Sequence, residues 1–306
     1  MVNLIKRSWR LLLENPELFM FHVARKLKVL NRISDKKYLE CQFKAVKRYP
    51  LDLKNPQTFN EKLQWLKLYD RNPLYTKLVD KYAVREYVKE KLGEEYLIPL
   101  VGGPWLNSVE INFDNLPERF VLKCTHDSGS AIVCKNKADF NIRKARKKLD
   151  RALRTNYYYG HREWPYKNVK PQIIAEKFLG DGERIPDDYK FFTFGGEIDC
   201  VMVCKDRDRG HPWFYFYSMD WERKKYQLPE LEKEDEIDRP KDLDKMAEVV
   251  KKLAKEFRHV RIDLYYENEK IYFGEITLYN QSGLDTDITY ETDWIWGQRI
   301  KLPQMI

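Results

Sequence analysis

The stretch from residue 260 to residue 278 reads VRIDLYYENEKIYFGEITL and contains two apolar runs separated by a short polar turn. Two such runs joined by Glu267-Asn268-Glu269 predict an antiparallel β-hairpin. Asp263 and Glu275 are acidic residues inside these runs, and we expect them to lie on one face of the hairpin. Two neighbouring carboxylates repel each other unless a cation lies between them. Magnesium is the expected cation, because it takes few carboxylates and completes its octahedron with water and phosphate oxygens.

Arg261 precedes Asp263 by two residues and therefore emerges on the same side of the strand. The pattern alone leaves two interpretations open. The guanidinium either meets negative charge that develops on a reacting group, or it pairs with one carboxylate in a structural salt bridge.

The rest of the pattern predicts an α+β chain. A helix is expected from Thr58 or Asn60, either of which can cap it, and a second helix from about Tyr75 to Gly93. An amphipathic helix is expected to open at Pro240. The remaining apolar runs predict short strands at residues 97–101, 120–123, 131–134, 173–178, 189–194, 198–204 and 213–217, with a basic helix at 141–154.

Residues 120–133, FVLKCTHDSGSAIV, predict two strands joined by a polar loop with a central glycine. Small loop residues let backbone N–H groups approach a phosphate, and the hydroxyls of Ser128 and Ser130 add donors. Lys123 supplies positive charge beside the loop. The GxxxxGK[ST] pattern of a Walker loop is absent from the sequence. For this segment alone, an ordinary hairpin is the alternative interpretation.

A charged pair, Glu176-Lys177, interrupts the apolar run at 173–179, and Asp188-Tyr189-Lys190 follows it. A carboxylate and an ammonium group can read the edge of a base. Alternatively, the strand lies at the edge of a sheet and both side chains are solvated.

The order of these segments resembles the ATP-grasp superfamily, and more narrowly the TupA-like ATP-grasp proteins of bacterial polysaccharide and teichuronopeptide loci. The resemblance is carried by TFNEKLQW at 58–65, KCTHDSGS at 123–130, EWPY at 163–166 and DYKFF at 188–192. It extends from about Asn55 to Pro303 and does not include the first fifty residues.

The resemblance implies an ATP-grasp fold in which two α+β subdomains clasp ATP, preceded by a helical basic N-terminal segment. The expected division is a basic helical segment at 1–54, a helical pre-grasp region at 55–118, a small lid subdomain at 119–177 and a large subdomain with the metal site at 178–306.

The resemblance also implies which residues contact ATP. Lys123 would meet the α- and β-phosphates, and the loop 126–130 would close over the γ-phosphate. Glu176 and Lys177 would address the adenine edge beside the backbone of residues 178–179, and Asp188 would approach the ribose. The expected ATP-contacting residues are Lys123, His126, Asp127, Ser128, Gly129, Ser130, Glu176, Lys177, Phe178, Leu179 and Asp188.

The implied magnesium ligands are Asp263 and Glu275, with Thr277 as a third. The superfamily usually has Glu-x-Asn where this chain has Glu275-Ile276-Thr277. A threonine hydroxyl is a poorer magnesium ligand than an amide carbonyl. The number of magnesium ions therefore stays open, unless Asn280 supplies the missing amide.

The activity implied by the resemblance is that of an ATP-dependent carboxylate–amine ligase. It would act through an acyl phosphate and join an amine or amino acid to a uronic acid or related carboxylate in surface-polysaccharide (capsule) synthesis. Arg261 and Lys190 are the expected catalytic residues, and Lys81 is a weaker candidate for substrate or nucleotide contact. Substrate selectivity is expected in the loops at 156–170 and 180–187, and Tyr157, Tyr158, Tyr159 and Trp164 could stack on a sugar or serve in packing.

Three other functions stay open. One is a phosphotransferase acting on a sugar or a nucleotide-sugar derivative. A second is a glycosyltransferase with a metal motif at Asp206-Arg207-Asp208 or Asp285-Thr286-Asp287. A nucleic-acid-binding protein would fit the basic N-terminus, but the acidic pair of the hairpin and the dispersed aromatic residues argue against nucleic acid as a partner.

The net charge of +8 and the pI near 9.0 favour an anionic partner. Residues 1–48 contain twelve basic and four acidic residues, and interleaved apolar residues predict amphipathic helices. These helices could contact an anionic membrane surface through residues 1–50, bind a polyanion, or pack on the main body.

A cytoplasmic location is expected, because Arg10 and Glu14 interrupt the first apolar run before a signal-peptide core could form. The five cysteines form no CxxC pair, which favours reduced and mostly buried thiols. The five histidines have no paired metal-binding spacing.

Overall fold

The structure is a computed structural model that describes residues 9–180, 184–207, 210 and 212–303. The start of the chain at Met1–Arg7, residues 181–183 of the expected selectivity loop, Asp208 and His211 lie outside the described residues. The chain divides into two compact units. The first comprises Met1–Arg71, Tyr158–Trp164 and Tyr279–Gln298, and the second comprises Asn72–Tyr157, Pro165–Leu278 and Arg299–Ile306. The four-segment division expected from the sequence stays a prediction.

After a helical stretch at residues 9–14, the α-helices are α1 Pro16–Lys26, α2 Asp35–Lys47, α3 Phe59–Tyr69, α4 Leu74–Val79, α5 Val84–Lys91, α6 Ile142–Leu153, α7 Tyr158–His161, α8 Leu243–Ala254 and α9 Tyr290–Arg299. The strands are β1 Leu100–Trp105, β2 Phe120–Cys124, β3 Ile132–Cys134, β4 Ile173–Lys177, β5 Asp188–Phe194, β6 Glu197–Lys205, β7 Trp213–Tyr217, β8 Arg223–Lys224, β9 His259–Glu267 and β10 Lys270–Thr277. Short 3₁₀ turns include Val29–Arg32, Glu94–Tyr96, Ser108–Glu110, Phe113–Asn115, Trp164–Asn168, Pro229–Leu231 and Asn280–Gly283.

The first unit is helical. Helix α3 begins at the predicted cap, because the Thr58 side chain accepts from the backbone N–H of Glu61 and the Glu61 carboxylate accepts from that of Thr58. Helices α1 and α2 pack through Phe21 and Tyr38, whose ring centroids are 5.2 Å apart. Their contact belongs to a small core of buried residues that includes Leu39 and Ala45.

The second unit contains two antiparallel sheets. The smaller sheet has the order β1-β4-β2-β3, and the larger has the order β10-β9-β5-β6-β7-β8. Helix α6 packs on the smaller sheet through Leu149, and α8 buries its predicted apolar face, including Met246 and Val250. The predicted hairpin of β9 and β10 is confirmed, with Asn268 and Glu269 both at positive φ as a two-residue type I′ turn requires.

Two predicted elements differ from the structure. The strand expected at 97–101 instead forms at Leu100–Trp105, and Leu97 makes only an isolated bridge. Strand β1 continues through glycines and Pro104 because it lies at a sheet edge, where a missing N–H is tolerated. The single helix expected at 75–93 is divided into α4 and α5, because the Asp80 carboxylate accepts from the backbone N–H groups of Tyr82 and Ala83.

Cys124, Cys134, Cys200 and Cys204 are buried and Cys41 is partly buried, all as free thiols, which confirms the prediction. Among the described helices, none is both long enough and apolar enough to cross a membrane.

Candidate active site

The β9–β10 hairpin places Asp263 and Glu275 directly opposite each other. A regular register that pairs Phe273 with Leu264 would continue with Gly274 opposite Asp263, but a bulge between Phe273 and Glu275 moves Glu275 into that place. The bulge needs a glycine, because a Cβ atom at residue 274 would lie 2.9 Å from the carbonyl oxygen of Asp263. The two carboxylates therefore share a face because of one extra residue in β10.

Arg261 joins the two carboxylates on this face. Its Nε and Nη2 donate to the two oxygens of Asp263 at 2.7 and 2.8 Å, which is a bidentate pair. Nη2 also donates to Glu275 Oε1 and to Thr277 Oγ1, at 3.1 Å in each case. In the structure, Arg261 thus makes the salt bridge that was one of its two open interpretations.

Strand β5 lies next to β9 and contributes a second cation. Lys190 is paired with Asp263 in the register, and its Nζ donates to Asp263 Oδ2 at 2.6 Å. The same ammonium lies 3.5 Å from Asp188 Oδ2. Arg207 completes the group, since its Nη1 donates to Asp188 Oδ2 at 2.5 Å. Two buried carboxylates are therefore neutralised by three cations.

These charges determine the protonation of Glu275. Burial raises the pKa of its carboxyl, but the nearby charges of Arg261, Lys190 and Lys81 outweigh that effect and lower the pKa to about 2. Burial lowers the pKa of the Arg261 guanidinium, whereas Asp263 and Glu275 together raise it above its ordinary value. Glu275 is therefore a carboxylate and Arg261 a cation at neutral pH.

Across the smaller sheet, Lys123 of β2 and Glu176 of β4 form an ion pair, with 2.6 Å between Nζ and Oε2. Arg85 lies 3.7 Å from the other oxygen of Glu176. Glu176 is buried, and its two carboxylate oxygens face the Lys123 and Arg85 cations in this structure. Its expected contact with an adenine edge stays a prediction.

The loop after β2 is held by hydrogen bonds between its own polar groups. Asp127 accepts from Ser130 Oγ at 2.6 Å, and Ser130 Oγ in turn accepts from the backbone N–H of Cys124 at 2.9 Å. Gly129 has φ of 97° and open space where a Cβ would be. His126 is buried, with Nε2 3.1 Å from the carbonyl oxygen of Ala152, so its ring faces helix α6.

Lys81 reaches the same loop. The turn that Asp80 creates between α4 and α5 lets the backbone N–H of Lys81 donate to the carbonyl oxygen of Thr125 at 2.9 Å. Its Nζ donates to the carbonyl oxygen of Asp127. Burial, and then the charge of Lys123, lower the pKa of Lys81, whereas Glu275 raises it.

A cavity of about 330 Å³ brings these groups together within the second unit. This volume lies in the range typical of small-molecule sites. Of the residues expected to contact ATP or metal, those that line the cavity are Lys81, Lys123, Ser128, Gly129, Ser130, Glu176, Lys177, Phe178, Leu179, Asp188, Asp263 and Glu275.

Five expected site residues do not line the cavity. His126 and Asp127 belong to the loop but face its interior, and Lys190, Arg261 and Thr277 lie behind the carboxylates that they contact. These five reach a ligand only through their neighbours in this conformation, and their expected roles stay predictions.

The oxygen donors of the hairpin fit magnesium in their chemistry. Magnesium takes hard oxygen ligands and is commonly held by one or two carboxylates together with phosphates and water. Glu275 is the accessible ligand, with 46% of its side chain exposed, whereas Asp263 is 2% exposed and has both oxygens engaged by Arg261 and Lys190. Asp263 can bind a metal only if it exchanges one of these partners. Among the described residues, the hairpin included, no three His, Cys, Asp or Glu side chains form a metal-binding group.

Asn280 and the Asp285-Thr286-Asp287 motif lie in the first unit and bond to each other. Asn280 donates to Asp285 Oδ2 at 2.9 Å, and the backbone N–H of Asp287 donates to Asp285 Oδ1 at 3.0 Å. Burial raises the pKa of Asp285 to about 6. Asp285 is therefore buried and engaged within a turn whose other two residues, Thr286 and Asp287, are exposed, so its carboxylate is not free to act as the glycosyltransferase metal ligand.

Three of the aromatic residues that could stack on a sugar, Tyr158, Tyr159 and Trp164, contact other groups of the protein. The Arg162 guanidinium lies 5.0 Å from the ring centroid of Tyr158 and 5.5 Å from that of Tyr159. Trp164 Nε1 donates to the carbonyl oxygen of Asp70 at 2.9 Å.

The residues of the site that sequence reasoning missed include Arg85, Arg207, Tyr265 and Gly274. A signal existed for Gly274, because an isolated glycine inside a strand pattern indicates a bulge. Arg207 was visible only as the centre of an Asp-Arg-Asp motif, and its contact with Asp188 depends on the pairing of β5 with β6.

Comparison with known proteins assigns the class. The fold is the ATP-grasp fold, and its two antiparallel sheets belong to one compact unit that contains the cavity. Within this class, the chain belongs to the TupA-like ATPgrasp family, whose sequence profile matches residues 61–301. The family and the fold expected from the sequence are thus confirmed.

Solved structures of two ligases and a synthetase resemble the chain distantly. D-alanine–D-alanine ligase from Bacillus anthracis in complex with ATP is 12% identical, with a TM-score of 0.39 over 66% of this chain and 55% of that one. The corresponding ligase from Helicobacter pylori is 16% identical, with a TM-score of 0.42 over 80% and 69%. D-cycloserine synthetase is 11% identical, with a TM-score of 0.42 over 88% and 84%. The chain thus spans only about half of the Bacillus anthracis ligase, and no curated protein matches it.

Proposed function

We propose that the protein is an ATP-dependent carboxylate–amine ligase that acts through an acyl phosphate. The observation that carries the proposal is the charged group formed by Asp263, Glu275, Arg261 and Lys190 beside a cavity that Lys81 and Lys123 also line. Phosphoryl transfer is catalysed mainly by positioning and charge neutralisation, and these side chains can supply both.

The lysines bind the phosphates of ATP in this proposal. Lys123 is paired with Glu176 at 2.6 Å, and Lys81 contacts the loop backbone at Asp127. Both ammonium groups line the cavity, so a triphosphate can replace their present partners. The backbone of the loop 128–130 gives a phosphate room to approach, because no atom lies within 4 Å of the place where a Cβ of Gly129 would be.

Asp263 and Glu275 would hold magnesium once Asp263 exchanges one of its cation partners, and Thr277 would take part through the hydrogen bond that its hydroxyl donates to Glu275 Oε1. The metal, when bound, would neutralise charge on the phosphates and orient the γ-phosphoryl group. The Arg261 guanidinium stays protonated at neutral pH because two carboxylates raise its pKa. From behind the carboxylates it can therefore add positive charge to the site without exchanging a proton, and Lys190 can act in the same way.

The reaction has two steps. A substrate carboxylate oxygen attacks the γ-phosphorus, the bond from that phosphorus to the bridging oxygen breaks, and ADP leaves. The amine nitrogen then attacks the acyl carbon, the bond to the phosphate oxygen breaks, and phosphate leaves while the amine loses a proton. The carboxylate we propose is a uronic acid or a related acid of bacterial surface-polysaccharide (capsule) synthesis, and the amine is an amino acid or another small amine. The reaction would take place in the cytoplasm, where ATP and magnesium are available.

The test is a coupled ADP-release screen of the full chain with ATP, magnesium and panels of carboxylates and amines, followed by mass spectrometry of the products. A ligase product has the mass of acid plus amine minus water, and ADP release depends on both substrates. A product with one added phosphate would show a kinase and overturn the ligase. Asp263→Asn and Glu275→Ala should abolish turnover while the circular dichroism spectrum of each variant at the assay temperature remains that of a folded protein, although both lose ion pairs and should unfold at a lower temperature than the parent. If the E275A protein turned over at the parental rate, Glu275 would not be a magnesium ligand.

A further inference from the structure

The net charge of the protein is confined to its first part. Twelve of the 56 basic residues and four of the 48 acidic residues lie at positions 1–48, so the remainder has 44 of each and no net charge. Arg10, Arg25, Lys26, Lys28 and Arg32 are the basic residues of the described stretch 9–32. This part of the chain also precedes the family match, which begins at residue 61.

The same stretch exposes large apolar side chains. Trp9, Leu13, Met20, Val23, Leu27 and Val29 have between 37% and 79% of their surface exposed. Helix α1 explains part of this pattern, because it packs Phe21 against α2 and turns Met20, Val23 and Leu27 outward at i, i+3 and i+7. We call residues 9–32 the N-terminal surface.

The N-terminal surface is fixed to the first unit by polar contacts. The Asn15 side chain caps α1 by accepting from the backbone N–H of Leu18 and donates to the carbonyl oxygen of Ala45 at 2.8 Å. Arg48 donates to the carbonyl oxygen of Glu14 at 2.7 Å. These contacts set which face of α1 is buried, so the outward apolar stripe is a property of the packed helix pair.

We propose that the N-terminal surface binds the surface of an anionic lipid bilayer, with α1 parallel to the membrane plane. Lys26 and Lys28 flank Leu27, so their ammonium groups can meet lipid phosphates while Leu27 and Met20 enter the acyl boundary. A soluble polyanion would satisfy the basic residues but would leave the apolar stripe in water. The apolar stripe therefore favours a membrane over a nucleic acid or an acidic glycan.

The test is co-sedimentation of the full chain with vesicles of phosphatidylcholine alone and of phosphatidylcholine with phosphatidylglycerol. We expect binding to the anionic vesicles, and a loss when ionic strength rises to about 0.5 M, since this shortens the screening length. Met20→Ser with Leu27→Ser should lower the bound fraction at least about fivefold, because it removes apolar surface that would be buried in the bilayer on binding. Lys26→Gln with Arg32→Gln should lower it similarly, because it removes attraction to the headgroups.

Matched controls separate the N-terminal surface from general properties of the chain. Val109→Ser changes an exposed apolar residue, and Lys252→Gln with Lys255→Gln removes exposed charges of the neutral part, so both proteins should bind like the parent. Parental binding by the Met20–Leu27 variant would overturn the proposal. So would binding to soluble polyglutamate but not to anionic vesicles, or a stable dimer that the same variant converts to monomer. Circular dichroism of each variant checks that the helices remain folded.

Discussion

Glu275 lies directly opposite Asp263 across the β9–β10 hairpin because Gly274 adds one residue to β10. The turn at Asn268-Glu269 sets a regular register up to Phe273, and that register would place Ile262 opposite Glu275. A shift by one residue reverses the face on which a strand side chain lies. The bulge is therefore what brings the second carboxylate to the face of the first.

Gly274→Ala tests the role of this bulge. The added Cβ would lie 2.9 Å from the Asp263 carbonyl oxygen and 3.2 Å from the Tyr265 ring, so the strands must separate. We expect a loss of about 1–3 kcal/mol in the free energy of unfolding, and a larger fractional loss of magnesium-dependent ADP release. Gly160→Ala, in helix α7 where a Cβ meets no atom within 4 Å and the backbone is not at positive φ, is a control for a glycine outside the site and should unfold and turn over like the parent. Parental turnover by the Gly274 variant would show that the opposition of the carboxylates is not required.

The sequence predicted the hairpin and the shared face of its carboxylates, but not the bulge that produces that face. The alternation of β9 and β10 and the Glu-Asn-Glu turn are local signals, and the structure confirms them. Gly274 also carried a local signal, since glycine inside a strand pattern marks a bulge, yet the position of the extra residue depends on which residues pair across the hairpin.

Partners from distant parts of the chain could not be predicted in the same way. Lys190 and Asp188 were singled out as part of a motif, but the contact of Lys190 with Asp263 depends on β5 lying beside β9. Glu176 was expected at an adenine edge, and its pairing with Lys123 follows from the register of β2 with β4. The spacing of residues predicts on which face of a strand a side chain lies, whereas the strand that lies beside it is fixed by the sheet topology.

Arg261→Lys separates charge from geometry at the hairpin. Lysine keeps the positive charge but cannot reproduce the two parallel bonds to Asp263 or the further contact with Glu275. We expect ADP release to fall by about 10²–10³-fold, the loss typical of removing one fixed group that stabilises transition-state charge. The matched control is Arg258→Lys, an exposed arginine just before β9 that donates to the backbone of Lys301. Equal rates for parent and R261K would leave Arg261 with a structural role alone.

Glu176→Gln distinguishes recognition of adenine from neutralisation of Lys123. The amide frees the ammonium of Lys123 from its 2.6 Å partner, so inorganic tripolyphosphate should bind more tightly, by up to about tenfold for 1.4 kcal/mol. If Glu176 also addresses the adenine edge, the preference for ATP over tripolyphosphate should fall, which titration calorimetry of both ligands measures. An unchanged preference would remove Glu176 from the adenine site. Glu118→Gln, an exposed acid outside the cavity lining, should alter neither affinity.

The depressed pKa of Glu275 predicts a pH dependence of stability. Its carboxyl has a pKa of about 2 in the folded protein, against an ordinary value of 4.5, so ionisation of Glu275 stabilises the folded state above about pH 4.5. That contribution is lost as the pH falls from about 4.5 towards 2, because the unfolded chain takes up the proton first. The Glu275→Gln variant lacks this ionisation. We therefore expect the difference in free energy of unfolding between parent and variant to be largest near pH 6 and to shrink at pH 4 and again at pH 3.

Urea denaturation at the three pH values measures the effect, and partial exposure of Glu275 limits its size through solvent screening. Glu90→Gln, an exposed acid on α5, is the control and should show no comparable convergence. A parent-to-variant difference that stays constant from pH 6 to pH 3 would contradict the pairing of Glu275 with Arg261, because that pairing is what makes its ionisation favourable in the folded protein.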